Sequence, residues 1–429
     1  MNEVAETIGG SLTGGKTITG LEPIHILTIN GGSSSLKFAL YRMGEVDTLL
    51  WSGRMTGIGL ETGRWHVEDA SGAGSLDQQL VLPDHESASK RFFEWLRQSN
   101  NGQGLDAVGH RVVHGGIHYA RPQPITPELE AALETLGRLD PEHLPHELKV
   151  IRAMREAYPD LLQVACFDTA FHRQMPKVAQ MLPLPRALFD EGIVRFGFHG
   201  LSYEFLIQEL ARVAGADAAS GRVIIAHLGN GASMAAIRDG RSVDTTMGFM
   251  PTGGLMMSTR SGDLDPGVLL HLLQQKGLSP ADVNEMVNHG AGLLGVSGIA
   301  ADMQELLAEE ATSPHAAQAI ALFCYSAKKF LGALAAVLGG LDTLIFTAGI
   351  GEQSPAIRQR ICANMEFLGI RLDTFRNAQN APVISSEHGR VSVRVMRTNE
   401  ELMIAKAVCQ ILRNPDRSDQ PAGEFGGAP

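Results

Sequence analysis

The stretch Asn30-Gly31-Gly32-Ser33-Ser34-Ser35-Leu36-Lys37 follows an apolar run at 25–29 and opens a run that alternates in polarity. Glycine lets the backbone turn tightly and come close to a phosphate. The hydroxyls of Ser33, Ser34 and Ser35 and the Lys37 ammonium supply donors. Beyond the turn, Leu36, Phe38 and Leu40 fall on one face of a strand and Ser35, Lys37 and Ala39 on the other. Ser35 and Lys37 therefore share a cleft face while the apolar face packs. The stretch is not a P-loop, because the GxxxxGK[ST] spacing is absent and a strand, not a helix, follows. By itself it also reads as a Ser/Gly hairpin turn.

Outward from this stretch, apolar strand signals recur at 107–113, 162–167, 223–226, 344–346 and 391–396, several ending in Gly, Asn, Asp or Glu. Helical patterns lie between them at 127–139, 203–213, 316–338 and 399–412, the last with Thr398 or Asn399 as N-cap. Strands alternating with helices indicate α/β layers, and functional residues at strand ends fit a cleft outside a sheet edge. Asp239-Gly240 between 233–237 and 241–244 reads as a tight antiparallel hairpin, so the sheet is mixed.

The chain has 429 residues, 44% of them hydrophobic, and a net charge of -11. The length predicts roughly two or three domains, and the charge argues against a nucleic-acid binder with a general basic surface. Cys166, Cys324, Cys362 and Cys409 form no CxxC pair, which indicates reduced thiols in a cytoplasmic protein. The first residues lack a basic n-region and an apolar core, so no signal peptide is expected. The near-apolar run 330–351 is interrupted by Gly339, Gly340 and Asp342, and reads as helix, glycine stop and strand, not a membrane span. Residues 1–22 and 414–429 read as flexible tails. No simple internal repeat is visible.

Further glycine turns join strand to strand at His227-Leu228-Gly229-Asn230-Gly231 and strand to helix at Gly349-Ile350-Gly351-Glu352-Gln353. Either alone fits an ordinary hairpin or α/β turn. With them stand HRVVHGG at 110–116, FDTAFH at 167–172, RFGFHG at 195–200, GLMMSTRSGDLDP at 254–266 and TNEELMIA at 398–405. In this order, over about 24–412, the chain resembles the acetate kinase family.

That resemblance implies an α/β fold with two actin/hexokinase-like (ribonuclease H-like) domains whose mixed sheets flank a nucleotide cleft. The N-terminal domain would be 23–168 plus 403–413, and the C-terminal nucleotide-binding domain 169–402. It implies phosphoryl transfer from ATP, the co-substrate, to acetate, with Mg²⁺ (or Mn²⁺ in its place), in a homodimer. Matched by motif, Asn30 and Glu400 resemble metal-side residues. Lys37, Ser33 and Ser35 resemble one phosphate element, and His227, Leu228, Gly229, Asn230 and Gly231 another. Asp302, Met303 and Gln304, with Gly349, Ile350, Gly351, Glu352 and Gln353, resemble the adenosine side. Arg111, Val113, His143, Phe198 and Pro251 resemble the substrate side. Asp168, His199, Arg260 and Arg111 resemble the catalytic group.

The chemistry asks for such residues. A carboxylate is already ionised at pH 7, so it needs no general base. It needs cations that bring two anions together, a task for guanidinium. Asp168 is read as holding Mg²⁺ and not as a base. His110, His114 and His118 are not expected to bind metal, since residues four apart on a strand are about 13 Å apart. The chain departs from the family pattern at Gln304, Gln353, Gly253 and Ser258, and at Glu142, where an apolar acyl-pocket residue is usual. A propionate- or butyrate-preferring kinase and a catalytically inactive nucleotide-binding module stay open as alternatives.

Overall fold

The structure is a computed structural model and describes residues 22–414 apart from 33, 73–74, 99–103 and 138–139. The tails read at 1–22 and 414–429 lie outside the described residues except for Glu22 and Asn414, and so does Ser33. Two mixed sheets organise the chain. The first contains β1 (Ile24–Gly32), β2 (Ser35–Met43), β3 (Thr48–Thr56), β4 (Gly63–Asp69), β5 (Ser75–Leu80), β6 (Ala107–Val112), β7 (Gln123–Pro124) and β8 (Leu162–Phe167). The second contains β9 (Val223–Leu228), β10 (Ala232–Arg238), β11 (Arg241–Thr245), β12 (Thr343–Thr347) and β13 (Ser392–Val395).

The order β3-β2-β1-β6-β8 in the first sheet has the same sense as β11-β10-β9-β12-β13 in the second. In each, an antiparallel meander of three strands is extended by two parallel ones. The fold thus repeats although the sequence shows no period. The repeat makes the β1–β2 and β9–β10 hairpins equivalent, and these carry the two phosphate-type turns.

Both sheets are covered on both faces, which is why their parallel strands read as unbroken apolar runs. Leu27, Ile29, Leu36 and Phe38 pack on one face of the first sheet with Phe92, Val150 and Met154. Ile26, Ala39 and Tyr41 pack on the other with Met403, Ile404 and Val408 of helix Glu400–Arg413. Ala39 therefore lies under a helix, so the face that carries Ser35 and Lys37 opens to a cleft only at the start of β2.

Helix Pro314–Leu338 is long and apolar enough to cross a membrane. It buries Phe323, Leu331 and Leu334 in the same core as Ile224 and Phe346 of the second sheet. It ends at Gly339, which takes the left-handed conformation that closes helices. Asn399 is the N-cap of helix Glu400–Arg413: its side chain accepts from the Leu402 N–H at 2.9 Å and from the Tyr41 hydroxyl at 3.1 Å. The helix comes so close to β6 that a Cβ on Gly109 would lie 2.3 Å from Ile404 Cγ2 and 2.7 Å from Val408 Cγ2. Gly109→Ala is expected to destabilise the fold by about 1–3 kcal/mol, the usual cost of overpacking, read as a lowered Tm.

Candidate active site

A cleft of about 910 Å³ opens beside the β1–β2 and β9–β10 hairpins. Asn30 pairs with Lys37 across β1 and β2, and Lys37 pairs with Arg54 across β2 and β3. Directly opposed residues share a face, so all three side chains line the cleft, with Ser34 and Ser35 at the turn. The stretch is tighter than a glycine loop. Gly31 and Gly32 continue β1, and Gly32 pairs with Ser35.

At the centre, Asp168 follows β8 and is fully buried. Its Oδ2 accepts from Arg111 Nη2 at 2.7 Å and from the His199 backbone N–H at 2.8 Å. Its Oδ1 is buried without a partner. Burial alone would depress the Arg111 guanidinium, but the charges of Asp168, Glu400 and Glu147 more than offset it and hold it above its ordinary value. His199 adopts a left-handed backbone (φ 59°), rare for a residue with a Cβ and often found at functional sites. The next residue must be glycine, since a Cβ on Gly200 would lie 2.3 Å from the Asp168 carbonyl oxygen.

The His199 ring stacks on His227 with centroids 4.1 Å apart, and its Nδ1 is 2.8 Å from Ser233 Oγ. Burial, then His227, Arg111 and Arg260, hold this imidazole well below its ordinary value. It is therefore a neutral donor at pH 7. The fully buried Tyr203 hydroxyl also meets Ser233. The arrangement that uses every proton has Tyr203 donating to Ser233 and Ser233 donating to Nδ1, which leaves Nε2–H for the cleft. A Cβ on Gly231 would lie only 3.3 Å from that Nε2.

On the second wall, His227, Gly229, Asn230 and Gly231 line the cleft. Leu228 does not, because its side chain is buried in the core. Gly349, Ile350 and Gln353 line the far end with Asp302, Met303, Gln304 and Leu307. Gly351 and Glu352 fall outside it. Gly351 packs against Phe346 and Ala226, and the Glu352 carboxylate turns back to accept from the Ala348 N–H at 2.9 Å. Asp302 spends Oδ1 as a helix cap, accepting from the Gln304 N–H at 2.7 Å. The turn rests on the fully buried Arg358, which donates to the carbonyls of Gly351 and Glu352 at 2.8 and 2.9 Å.

The remaining wall is Val113, Phe198, Pro251, His143 and Arg260. Arg260 donates to the Pro251 carbonyl at 3.2 Å and to His143 Nε2 at 3.0 Å. Glu142 points away from this wall, to Asn284 at 3.0 Å and His289 at 2.7 Å, so its carboxylate does not line the cleft. Glu147, which no motif marks, is buried beside Arg111 at 3.8 Å and accepts from the Val113 N–H at 3.0 Å.

The donors for a divalent cation are oxygen donors. Glu400 is held by the Asn30 amide at 3.1 Å, its carboxyl raised by burial and then moderated by Arg111. With the orphaned Asp168 Oδ1 they form a set that fits Mg²⁺, which takes one or two carboxylates and completes its shell with water and phosphate. Among the described residues no three His, Cys, Asp or Glu side chains form a metal cage. His110 is bonded instead to the Gln163 amide at 2.8 Å.

Together these features define a phosphotransferase-type cleft, lined by two hairpins rich in donors and by the cations Arg111 and Arg260. The model of the acetokinase family matches residues 25–406. Acetate kinase from Rhodopseudomonas palustris (strain TIE-1) is 45% identical over 394 residues, covering 90% of this chain and 98% of that protein. Propionate kinase from Citrobacter rodentium is 40% identical over 395 residues, covering 90% and 96%. The crystal structure of Porphyromonas gingivalis acetate kinase superposes with a TM-score of 0.80 at 37% identity, covering 91% of this chain and 100% of that one. The chain belongs to the acetokinase family, and it is a phosphotransferase with a carboxyl group as acceptor.

Arg54→Ala is expected to raise KM for ATP several-fold, with KM for the acid unchanged, because Arg54 pairs with Lys37 on the cleft wall beside the β1–β2 hairpin. Burial pushes the Glu147 carboxyl up to about 8. Its folded value lies above its unfolded one, so its contribution to stability is complete below the ordinary carboxyl range and lost as pH rises toward 8. The slope is at most about 1.4 kcal/mol per pH unit. In Tm measured from pH 5 to pH 8, Glu147→Gln is expected to flatten that decline.

Proposed function

We propose that the chain catalyses ATP plus acetate to ADP plus acetyl phosphate, reversibly, by direct in-line attack of the carboxylate. The observation that carries this reading is the convergence of two half-buried guanidiniums, Arg111 and Arg260, on one neutral histidine, His199, whose imidazole both of them depress. In the proposed assignment, Arg111 binds the acceptor carboxylate and Val113, Phe198 and Pro251 hold its methyl group. The acceptor oxygen forms a bond to the γ-phosphorus as the bond to the bridging oxygen breaks, and ADP leaves with that electron pair. No proton moves, because the acceptor is already ionised. Arg260 and the His199 Nε2–H take the charge spreading over the equatorial oxygens.

Lys37, Arg54 and Ser35 hold the terminal phosphates from one side and His227–Gly231 from the other. Adenosine lies between Asp302–Gln304 and Gly349–Gln353. Asn30, Asp168 and Glu400 would hold Mg²⁺, which would supply neutralising charge for the phosphates; Mn²⁺ suits the same oxygen set. The domain division 23–168 with 403–413 against 169–402 is part of the same reading. It is supported by β1–β8 forming one sheet on which helix Glu400–Arg413 packs. A cytoplasmic homodimer is carried by the family likeness. Four buried, unpaired cysteines suit a reducing compartment.

Hydroxamate trapping of the acyl phosphate with acetate, propionate and butyrate tests the acceptor. Acetate is expected to give the highest kcat/KM, a preference for a longer acid moves the assignment to that acid, and no product with any short acid overturns the kinase reading. Asp168→Asn is expected to lower kcat by about 10²-fold or more, the scale of losing a preorganised electrostatic contact, and to raise the Mg²⁺ requirement. Unchanged metal dependence would remove Asp168 from the metal side.

A further inference from the structure

Asp140, His143 and Arg260 form a line from the first domain to the second. Asp140 precedes helix Leu144–Ala157, whose Val150 and Met154 pack under the first sheet, and it is fully buried. Its Oδ1 is 2.9 Å from His143 Nδ1. His143 Nε2 is 3.0 Å from Arg260 Nη2. His143 occupies the N-cap position of its helix without making a side-chain cap bond, so both ring nitrogens serve this line.

The chemistry at both ends demands one tautomer. A guanidinium only donates, so Nε2 must accept. An ionised carboxylate only accepts, so Nδ1 must carry the proton. A doubly protonated ring would set an N–H against the N–H of Arg260, and the other tautomer would fail at both ends. Burial pushes the Asp140 carboxyl up, but the His143 hydrogen bond and the charge of Arg260 help hold it below its ordinary value. Burial pulls the Arg260 guanidinium down, and the largest force opposing this is the charge of Asp140. Close by, Glu142 reaches Asn284 and His289, so this segment meets the second domain twice.

We propose that Asp140 is a positioning residue for phosphoryl transfer: it fixes His143 as the Nδ1–H tautomer, and His143 holds the Arg260 guanidinium against the cleft. This rests on the reading of Arg260 as the cation of the transferring phosphoryl group. Asp140 touches no reacting atom and acts only through His143. Its free oxygen, Oδ2, has no partner, so its built contact with the site is this one line.

The first test needs no variant. In the full chain labelled with [¹⁵N]histidine, His143 is assigned as the signal missing from His143→Ala. Its ring is expected to show the Nδ1–H signature, and an Nε2–H ring overturns the proposal whatever the activity. The second test is Asp140→Asn. An asparagine can donate to Nδ1 as well as accept, so it no longer enforces one tautomer. The variant is expected to shift the ring signature and to lower kcat between about tenfold and about a hundredfold, the scale of a misplaced catalytic group. KM for ATP should stay within about twofold. Added to His143→Ala, the same substitution should have no further effect, because the line is already cut. A wild-type kcat, or losses that multiply in the double variant, would overturn the proposal. If Asp140→Asn does not fold, the ring signature of the unaltered chain decides alone. Failure of the Arg260 reading looks different: Arg260→Lys would retain full kcat while the His143 ring kept its Nδ1–H signature.

Discussion

The structure depends on an ion pair between the half-buried Arg111 and the fully buried Asp168. Two anions react in this cleft, so it needs permanent positive charge where water is excluded, and a buried cation survives only with a partner. Asp168 is that partner, and the same Oδ2 also fixes the His199 backbone. One carboxylate oxygen thus fixes the Arg111 guanidinium and the His199 backbone relative to each other. Removing one partner of such a pair costs about 3–5 kcal/mol, so the charge pattern of the site and the stability of the fold are linked.

The repeated strand order supplies the geometry around this pair. Because β1–β2 and β9–β10 are equivalent hairpins in two sheets of the same sense, their turns carry donors to one cleft. The third element, helix Glu400–Arg413, brings Glu400 to Asn30 although they are 370 residues apart in sequence. It does so because Gly109 leaves room for Ile404 and Val408 on β6. A backbone vacancy in one strand therefore places a carboxylate at the mouth of another.

The donor-rich turns were legible in local residue chemistry, and most of the other cleft residues were named through the family resemblance that the ordered motifs carry. The residues that escaped lie where a polar side chain interrupts an apolar face. Glu147 stands among Leu144, Leu148, Ile151 and Met154 on the buried face of its helix. Arg358 stands among Ile357, Ile361 and Cys362 on another. A charged residue at an apolar helical position is a visible signal that a partner must exist, but only packing names the partner. Arg54 was hidden because register, not composition, sets it opposite Lys37. Three residues assigned by motif proved to support the cleft and not to line it: Leu228 and Gly351 pack, and Glu352 caps its own turn.

By itself the sequence determined the α/β class, the two donor-rich turns and the helix caps, because these follow from backbone preference, periodicity and residue chemistry within a few positions, and its ordered motifs carried the resemblance that singled out Arg111, Asp168, His199 and Arg260. Tertiary structure decided what lies between distant segments. It set the neutral state of His199, turned Glu142 to Asn284 and His289, and joined Asp140 through His143 to Arg260. The reason is physical: protonation and side-chain direction depend on burial and on charges across the cleft, and these come from parts of the chain that meet only after folding.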